Sequence, residues 1–218
     1  MNTVFHKTVI INRAVPGSGK TTISRCITQT LQAAGLQVVN HSTDDFFMRN
    51  GRYCFDIKKL NSYHQQNLKN FIADLQRGID VVICDNTNLL PWQTAPYTAR
   101  ARKYGYRIIF LNLTPRELYK HVQAQIVTPE KPDAHGVPEK QLAQFIEDFN
   151  TYDPLLDKTA RIDNQRHFHY RWDNRLLLPV AAGCARHFDL DEVVTVKPHE
   201  YHQAKQNIGK RFLDLICA

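Results

Sequence analysis

The sequence predicts an α/β fold in which a parallel β-sheet is sandwiched between helices. Short apolar runs at residues 8–11 and 80–84 have the length of buried strands, and a segment with helical spacing follows each of them. A glycine-rich turn lies directly between the first predicted strand and the first predicted helix. Strands that alternate with helices in this way favour a parallel sheet with helices on both faces.

Two helices and two further strands follow the first strand. Apolar residues recur at helical spacing after the glycine-rich turn as far as Gly35, and again from Ile57 until Gly78 ends the second helix. Residues 36–39 predict the strand between these helices. Residues 80–84 are wholly apolar after the first, which is typical of a buried parallel strand.

The next part of the chain continues the alternation. A helix is predicted at 92–104 and a strand at 107–113. The following helix is predicted to begin at Pro115 and to end near Gln125. Proline suits the first turn of a helix, and Thr114 before it is a suitable N-cap.

A loop and a last helix–strand–helix series complete the pattern. Residues 128–138 contain three prolines and one glycine and therefore predict a loop, after which 139–150 return to helical spacing. Residues 193–196 predict another strand. An apolar stripe from Tyr201 to Leu215 predicts a terminal helix.

The C-terminal part differs in organisation from the rest. Phe168, Tyr170 and Trp172 alternate with polar residues and predict an amphipathic strand. We therefore expect a main domain over residues 1–152 and a small α+β extension, whose role the sequence does not indicate, over residues 153–218.

Composition excludes several classes of protein. The 218 residues are 43% hydrophobic and 22% charged, which is typical of a globular chain and not of a disordered one. The apolar runs are far shorter than the roughly 18 residues of a membrane span, and no secretion signal is visible. Five cysteines without paired spacing indicate no disulfide framework. We expect a cytoplasmic protein without a membrane or disulfide partner, whose net charge of +7 favours anionic partners.

The glycine-rich turn has the pattern of a phosphate-binding loop. Its glycines allow backbone N–H groups to surround phosphate oxygens, the helix that follows contributes its positive end, and a lysine and a threonine at its close suit phosphate and Mg²⁺. The first glycine of the usual motif is Ala14 here, which removes no phosphate ligand. The predicted ATP phosphate-binding residues are Pro16, Gly17, Ser18, Gly19, Lys20, Thr21 and Thr22.

Carboxylates follow two of the predicted strands. Asp85 ends the apolar strand at 80–84, where it could hold Mg²⁺ together with Thr21; a helix N-cap is the alternative. Asp44 and Asp45 follow the strand at 36–39, on the sheet edge where ligands of open α/β folds collect. One of them could accept a proton from an attacking hydroxyl, whereas a solvated capping pair is the alternative.

Five sequence blocks resemble one family of phosphate-loop enzymes. They comprise residues 16–21, 42–48, 50–56, 85–88 and 135–138. In this order they resemble the polynucleotide-5′-hydroxyl-kinase-like P-loop family, to which zeta-toxin-like kinases are related. The resemblance implies a kinase that binds ATP and Mg²⁺ and transfers the γ-phosphoryl group to a hydroxyl. It also implies that Asp44 is the general base, with Lys20 and Asp45 beside it, and that Asp85, Asn86 and Asn88 lie on the acceptor or metal side.

The region that resembles the family's lid departs from the pattern. The family usually carries an arginine there, but this chain has no arginine between Arg116 and Arg161. Such an arginine contributes several orders of magnitude to phosphoryl transfer where it has been tested. Lys120, Lys131 or His135 could replace it, or a partner could supply an arginine. Arg49 and Arg52 could bind an acceptor phosphate, with solvated loop arginines as the alternative.

Three functions remain open from the sequence. The first is a kinase that phosphorylates a hydroxyl acceptor, with a nucleic-acid 5′-hydroxyl as one candidate. The second is a nucleotide-dependent regulatory or binding module with weak or no kinase activity. The third is a kinase for a small molecule such as a nucleotide sugar.

Overall fold

A five-stranded parallel sheet organises the part of the chain that the computed structural model describes, residues 5–152, 154 and 188–218. The strand predicted around Phe168 lies outside the described residues. In spatial order the strands are β2 (Val38–His41), β5 (Val81–Cys84), β1 (Thr8–Ala14), β6 (Arg107–Leu113) and β7 (Glu192–Val196). A separate antiparallel hairpin consists of β3 (Met48–Arg49) and β4 (Arg52–Tyr53). The predicted parallel α/β architecture is confirmed.

Helices cover both faces of the sheet. On one face Ile23 and Phe212 belong to the same buried cluster as Ile10 of β1. On the other face the rings of Phe71 and Tyr97 meet edge to face, with centroids 5.0 Å apart. Strands buried on both faces must be apolar along their whole length, which is why their runs were visible in the sequence. The helices are α1 (Lys20–Ala33), α2 (Ile57–Arg77), α3 (Pro91–Lys103), α4 (Leu118–Gln125), α5 (Glu139–Thr151) and α6 (Tyr201–Ile216).

The ends of α2 show why the sequence predicted this helix well. Asp56 is its N-cap, and the carboxylate accepts a hydrogen bond of 2.9 Å from the backbone N–H of Lys58. Gly78 ends the helix in the left-handed conformation, with φ of 77°. Both ends depend only on residues close in sequence.

The predicted start of α4 is wrong. The helix begins at Leu118 rather than at Pro115, and Glu117 rather than Thr114 is its N-cap. The backbone N–H of Thr114 donates to the carbonyl oxygen of Val196 at the end of β7. This bond holds Thr114 at the end of the sheet, and the chain enters the helix only at Leu118.

The described C-terminal residues pack on the main sheet. β7 pairs with β6 in parallel, and α6 packs against α1. The approach of the two helices is close: a Cβ added to Gly209 would lie 2.0 Å from Oγ1 of Thr30. The backbone N–H of His6 also donates to the carbonyl oxygen of Ile216, at 2.9 Å. A division of the chain at residue 152 stays a prediction.

Within the described ranges, no helix combines the length and the apolar character that a membrane span requires. The cysteines described, Cys26, Cys54, Cys84 and Cys217, are free thiols.

Candidate active site

The phosphate loop connects the end of β1 to the start of α1. Gly17 and Gly19 both have positive φ values, 81° and 82°, which favour glycine. There is also no room for a side chain at Gly19, because a Cβ there would lie 1.9 Å from the hydroxyl oxygen of Tyr201. The loop thus opens onto the N-terminus of a helix, where backbone N–H groups and the helix dipole favour anions.

Lys20 and Asp85 meet beside this loop. Nζ of Lys20 lies 3.0 Å from Oδ1 of Asp85 and 3.0 Å from its backbone carbonyl oxygen. Nδ2 of Asn12 donates to the same Oδ1 at 2.7 Å. Burial lowers the pKa of Lys20, but the charges of Asp85 and Asp44 outweigh it, so that the net pKa is raised. The lysine therefore stays charged.

Several polar atoms at this place are buried and lack a hydrogen-bond partner among the described residues. They include Oδ2 of Asp85, on a residue that is 1% exposed, Oγ of Ser18 and Oδ1 of Asn12. A carboxylate oxygen left in this state suits a cation or a cation-bound water. Thr21, which follows Lys20 in the first turn of α1, is exposed at the mouth of the loop. The residues present therefore fit Mg²⁺ bound together with a nucleotide.

Asp44 lies in a short 3₁₀ turn, Asp44–Phe47, which follows β2. Its Oδ1 accepts a hydrogen bond of 2.9 Å from the hydroxyl of Tyr53, and its Oδ2 lies 3.7 Å from Nδ1 of His135. The rings of Tyr53 and His135 are stacked, with centroids 4.0 Å apart. Burial, and then the charge of Asp44, raise the pKa of Tyr53, so its hydroxyl remains a donor. The β3–β4 hairpin and the loop at 128–138 thus meet at this carboxylate.

Asp45 shares the turn but has different neighbours. Desolvation raises its pKa, and the charges of Asp85 and Asp44 raise it further, while Lys20 lowers it. The other acidic groups of the site therefore increase the proton affinity of Asp45.

Asn86 and Asn88, which follow β5, form hydrogen bonds with backbone groups of neighbouring segments. Oδ1 of Asn86 accepts from the backbone N–H of Thr43 at 2.9 Å, which ties the turn of Asp44 to β5. Nδ2 of Asn88 donates to the carbonyl oxygen of Asn12 at 2.8 Å. The two asparagines therefore join the end of β5, which Asp85 follows, to the turn of Asp44 and to β1.

Arg49 and Arg52 face each other in register across the β3–β4 hairpin, and both are exposed. Arg49 donates to the hydroxyl of Tyr63 at 3.3 Å. The ring of Phe55, which is 53% exposed, lies 6.5 Å from that of Tyr53 in a stacked orientation. The hairpin therefore presents positive charge and aromatic surface next to Asp44.

The lid candidates Lys120, Lys131 and His135 contact different partners. Lys120 forms an ion pair with Glu117 at 2.9 Å, and Lys131 donates to the carbonyl oxygen of Ala124. His135 is the lid candidate that the structure brings to Asp44. Arg116, at the start of the same region, donates through Nη2 to the carbonyl oxygen of Gly17.

Sequence reasoning missed three residues that contact the site. Tyr53 lies within a block that carried the family resemblance, but no spacing rule pairs it with Asp44. Arg116 marked only the start of the arginine-free stretch. Tyr201 was interpreted as part of an apolar stripe, yet its hydroxyl donates to the carbonyl oxygen of Gly19 at 3.0 Å.

Comparison with known proteins identifies the main part of the chain. A family model described as an AAA domain matches residues 9–152. NEDD4-binding protein 2 from Homo sapiens is 31% identical over 144 residues, which are 66% of this chain but only 8% of that protein's length.

Two solved structures align with nearly the whole chain. A candidate kinase from Chloroflexus aurantiacus aligns with a TM-score of 0.57 at 14% identity, over 97% of this chain and 98% of that one. A gluconokinase from Sinorhizobium meliloti aligns with a TM-score of 0.45 at 13% identity, over 97% of this chain and 99% of that one. The parallel sheet between helices is therefore a fold that this chain shares with the Chloroflexus aurantiacus structure.

Proposed function

The chain belongs to the AAA-domain family, and from this premise we propose that it is a kinase that transfers the γ-phosphoryl group of ATP to a hydroxyl acceptor. The observation that carries the proposal is the pairing of Lys20 with Asp85 at 3.0 Å beside the phosphate loop. Asp44 is near enough for its charge to raise the pKa of the same lysine. A phosphate-binding cation and a candidate proton acceptor thus occupy one edge of the sheet.

The proposed reaction assigns the proton to Asp44. The hydroxyl oxygen of the acceptor bonds to the γ-phosphorus, the bond from this phosphorus to the bridging oxygen breaks, and ADP leaves. The hydroxyl proton passes to the carboxylate of Asp44. Tyr53 holds Oδ1 of that carboxylate in place and leaves Oδ2 to receive the proton. Asp45 orients the acceptor from the same turn.

The positive groups of the site act on the phosphate oxygens. Lys20 and the backbone N–H groups of the loop stabilise the charge of the transferred phosphoryl group. Mg²⁺, held by Thr21 and Asp85, would supply further positive charge to these oxygens when bound.

For the acceptor we propose a nucleic-acid 5′-hydroxyl. The support is the hairpin beside Asp44, where Arg49 and Arg52 can bind phosphates and the exposed ring of Phe55 can stack on a base. Stacking of one base on an aromatic side chain contributes about 1–3 kcal/mol. A small nucleotide-sugar-like acceptor would need only part of this surface.

A nucleotide-dependent binding module is the second candidate. The observation that favours it is that Lys120 and Lys131 form bonds within the lid region, to Glu117 and Ala124. A site that binds ATP but offers no further cation to the transferred phosphoryl group would have slow chemistry.

Transfer of label from γ-labelled ATP distinguishes these functions. The protein is incubated with ATP, Mg²⁺ and, separately, 5′-hydroxyl DNA, 5′-hydroxyl RNA and a panel of small hydroxyl metabolites. Labelled nucleic acid is the expected product. We expect Lys20→Ala to lose nucleotide binding, and Asp44→Asn to keep binding but lose turnover. Tight ADP binding without label in any acceptor would favour the binding module, and full turnover by Asp44→Asn would exclude Asp44 as the base.

A further inference from the structure

Three carbonyl oxygens of the phosphate loop are held by side chains from outside the loop. Nη2 of Arg116 donates to Gly17, and the hydroxyl of Tyr201 donates to Gly19 at 3.0 Å. Nδ1 of His121 lies 2.8 Å from the carbonyl oxygen of Pro16. Arg116 and His121 belong to the start of the α4 region, whereas Tyr201 is the first residue of α6.

The hydrogen bonds around His121 define its tautomer. Its Nε2 accepts from the backbone N–H of Arg116 at 3.0 Å, so the proton of the neutral ring is on Nδ1. Nδ1 therefore donates to Pro16. His121 is fully buried and thus fixes the backbone of Arg116 relative to the loop.

Tyr201 has a rigid support. The helix that it begins packs against α1 through Ile208 and Phe212, and Gly209 allows the two helices to approach closely. Since α1 begins at the loop itself, the distance from Tyr201 to Gly19 is set by this helix pair. The same carbonyl of Gly19 also accepts from the backbone N–H of Ile23 at 3.2 Å.

The consequence follows from the planar trans peptide group, in which the C=O and the next N–H point in opposite directions. The carbonyl of Pro16 is held toward α4, so the N–H of Gly17 points away from α4. The carbonyl of Gly19 is held toward α6, so the N–H of Lys20 points away from α6. Those N–H groups are the donors that a phosphate loop offers to an anion.

We propose that Arg116, His121 and Tyr201 form a carbonyl clamp that sets the phosphate-binding conformation of the loop. Tyr201 is then a positioning residue for nucleotide binding, and the C-terminal helix has a task in the site. The proposal rests on the proposed nucleotide-binding function. It differs from a simple packing role, because the clamp acts through one hydroxyl and not through the bulk of the ring.

The test is the full-length Tyr201→Phe variant, which removes the hydroxyl and keeps the ring. Tyr104→Phe is the matched control, since the hydroxyl of Tyr104 accepts a solvent-exposed hydrogen bond from the side chain of Gln76, outside the site. We expect the Kd for Mg·ADP to rise about 3- to 10-fold in Tyr201→Phe, the effect of one lost hydrogen bond, and to stay unchanged in the control. Amide exchange at Ile23, whose N–H donates to the same carbonyl oxygen of Gly19, should become faster by a similar factor in the nucleotide-free protein, as followed by NMR.

The outcomes separate the clamp from the proposed function. Unchanged affinity and unchanged amide exchange in Tyr201→Phe would overturn the clamp. A lower Tm with unchanged Kd and unchanged Ile23 exchange would show a merely structural role and would also overturn it. If the wild-type protein binds no nucleotide, the proposed function fails, and exchange at Ile23 still decides whether the clamp orders the loop.

Discussion

Asp85→Asn is the substitution for which the structure gives the clearest magnitude. The carboxylate is buried, and its Oδ1 lies 3.0 Å from Nζ of Lys20. At an effective dielectric constant of about 20, the attraction over this distance is about 5 kcal/mol. Desolvation of the two ions offsets part of this attraction, and losing one partner of a buried pair costs roughly 3 kcal/mol or more. We expect the nucleotide-free variant to lose about 3 kcal/mol of its free energy of unfolding.

The same variant should respond differently to nucleotide. In the wild-type protein an incoming phosphate must compete with Asp85 for Lys20, whereas in Asp85→Asn the phosphate supplies the missing negative charge. ADP in the presence of EDTA should therefore bind the variant about tenfold more tightly than the wild type, a gain of about 1.4 kcal/mol, which is less than the roughly 3 kcal/mol of the lost ion pair. Added Mg²⁺ should strengthen binding by the wild type and have little effect on the variant.

Urea unfolding with and without ADP measures both effects, because a ligand that binds only the folded state raises its stability. Asp189→Asn is the matched control, since Asp189 pairs with Arg102 at 2.8 Å on the surface and should contribute no more than about 1 kcal/mol. The reasoning would be refuted if the free energy of unfolding of Asp85→Asn were within about 1 kcal/mol of the wild-type value, roughly the effect of the control, and if its ADP affinity in EDTA were unchanged.

Three further substitutions test other parts of the site and fold. Tyr53→Phe should lower kcat about 3- to 10-fold at unchanged KM for ATP, because Asp44 loses the bond that orients it; unchanged kcat would contradict this role. Arg13→Met should lower the free energy of unfolding by about 3 kcal/mol, since this fully buried guanidinium donates to several buried oxygens, and a loss below 1 kcal/mol in urea unfolding would contradict it. Burial lowers the pKa of His64 from 6.5 to about 4, so between these pH values the unfolded chain binds a proton that the folded chain does not, and stability should fall as pH falls from 6.5 toward 4. His64→Gln should flatten this slope in pH-dependent thermal unfolding, and an identical slope would exclude His64 as its source.

Local chemistry explains which elements the sequence predicted correctly. The strand that ends at Asp85 is buried on both sides, so its residues must be apolar, and this requirement is visible in the sequence. Neighbouring parallel strands end at one edge of a sheet. The proximity of Lys20 and Asp85 follows from that topology once β1 and β5 are adjacent.

The features that sequence reasoning missed depend on distant partners. Thr114 and Pro115 have good helix-start chemistry, but the backbone N–H of Thr114 bonds to Val196 at the end of β7, so Thr114 continues the sheet and the helix starts later, at Leu118. Tyr201 is 182 positions from Gly19, and no periodicity of α6 distinguishes a tyrosine that packs from one that donates to the loop. Side-chain hydrogen bonds between remote segments leave no pattern along the chain.

The bond between His6 and Ile216 has a practical consequence for experiments. It brings the start of β1 and the end of α6 next to each other. From there, the seven residues of β1 extend about 20 Å to the phosphate loop. Fluorophores or surface anchors attached near His6 or Ile216 would therefore lie at the opposite edge of the sheet from the phosphate loop. Immobilised protein would then present its binding mouth to the solution, so surface-based affinity measurements can be made without masking the site under study.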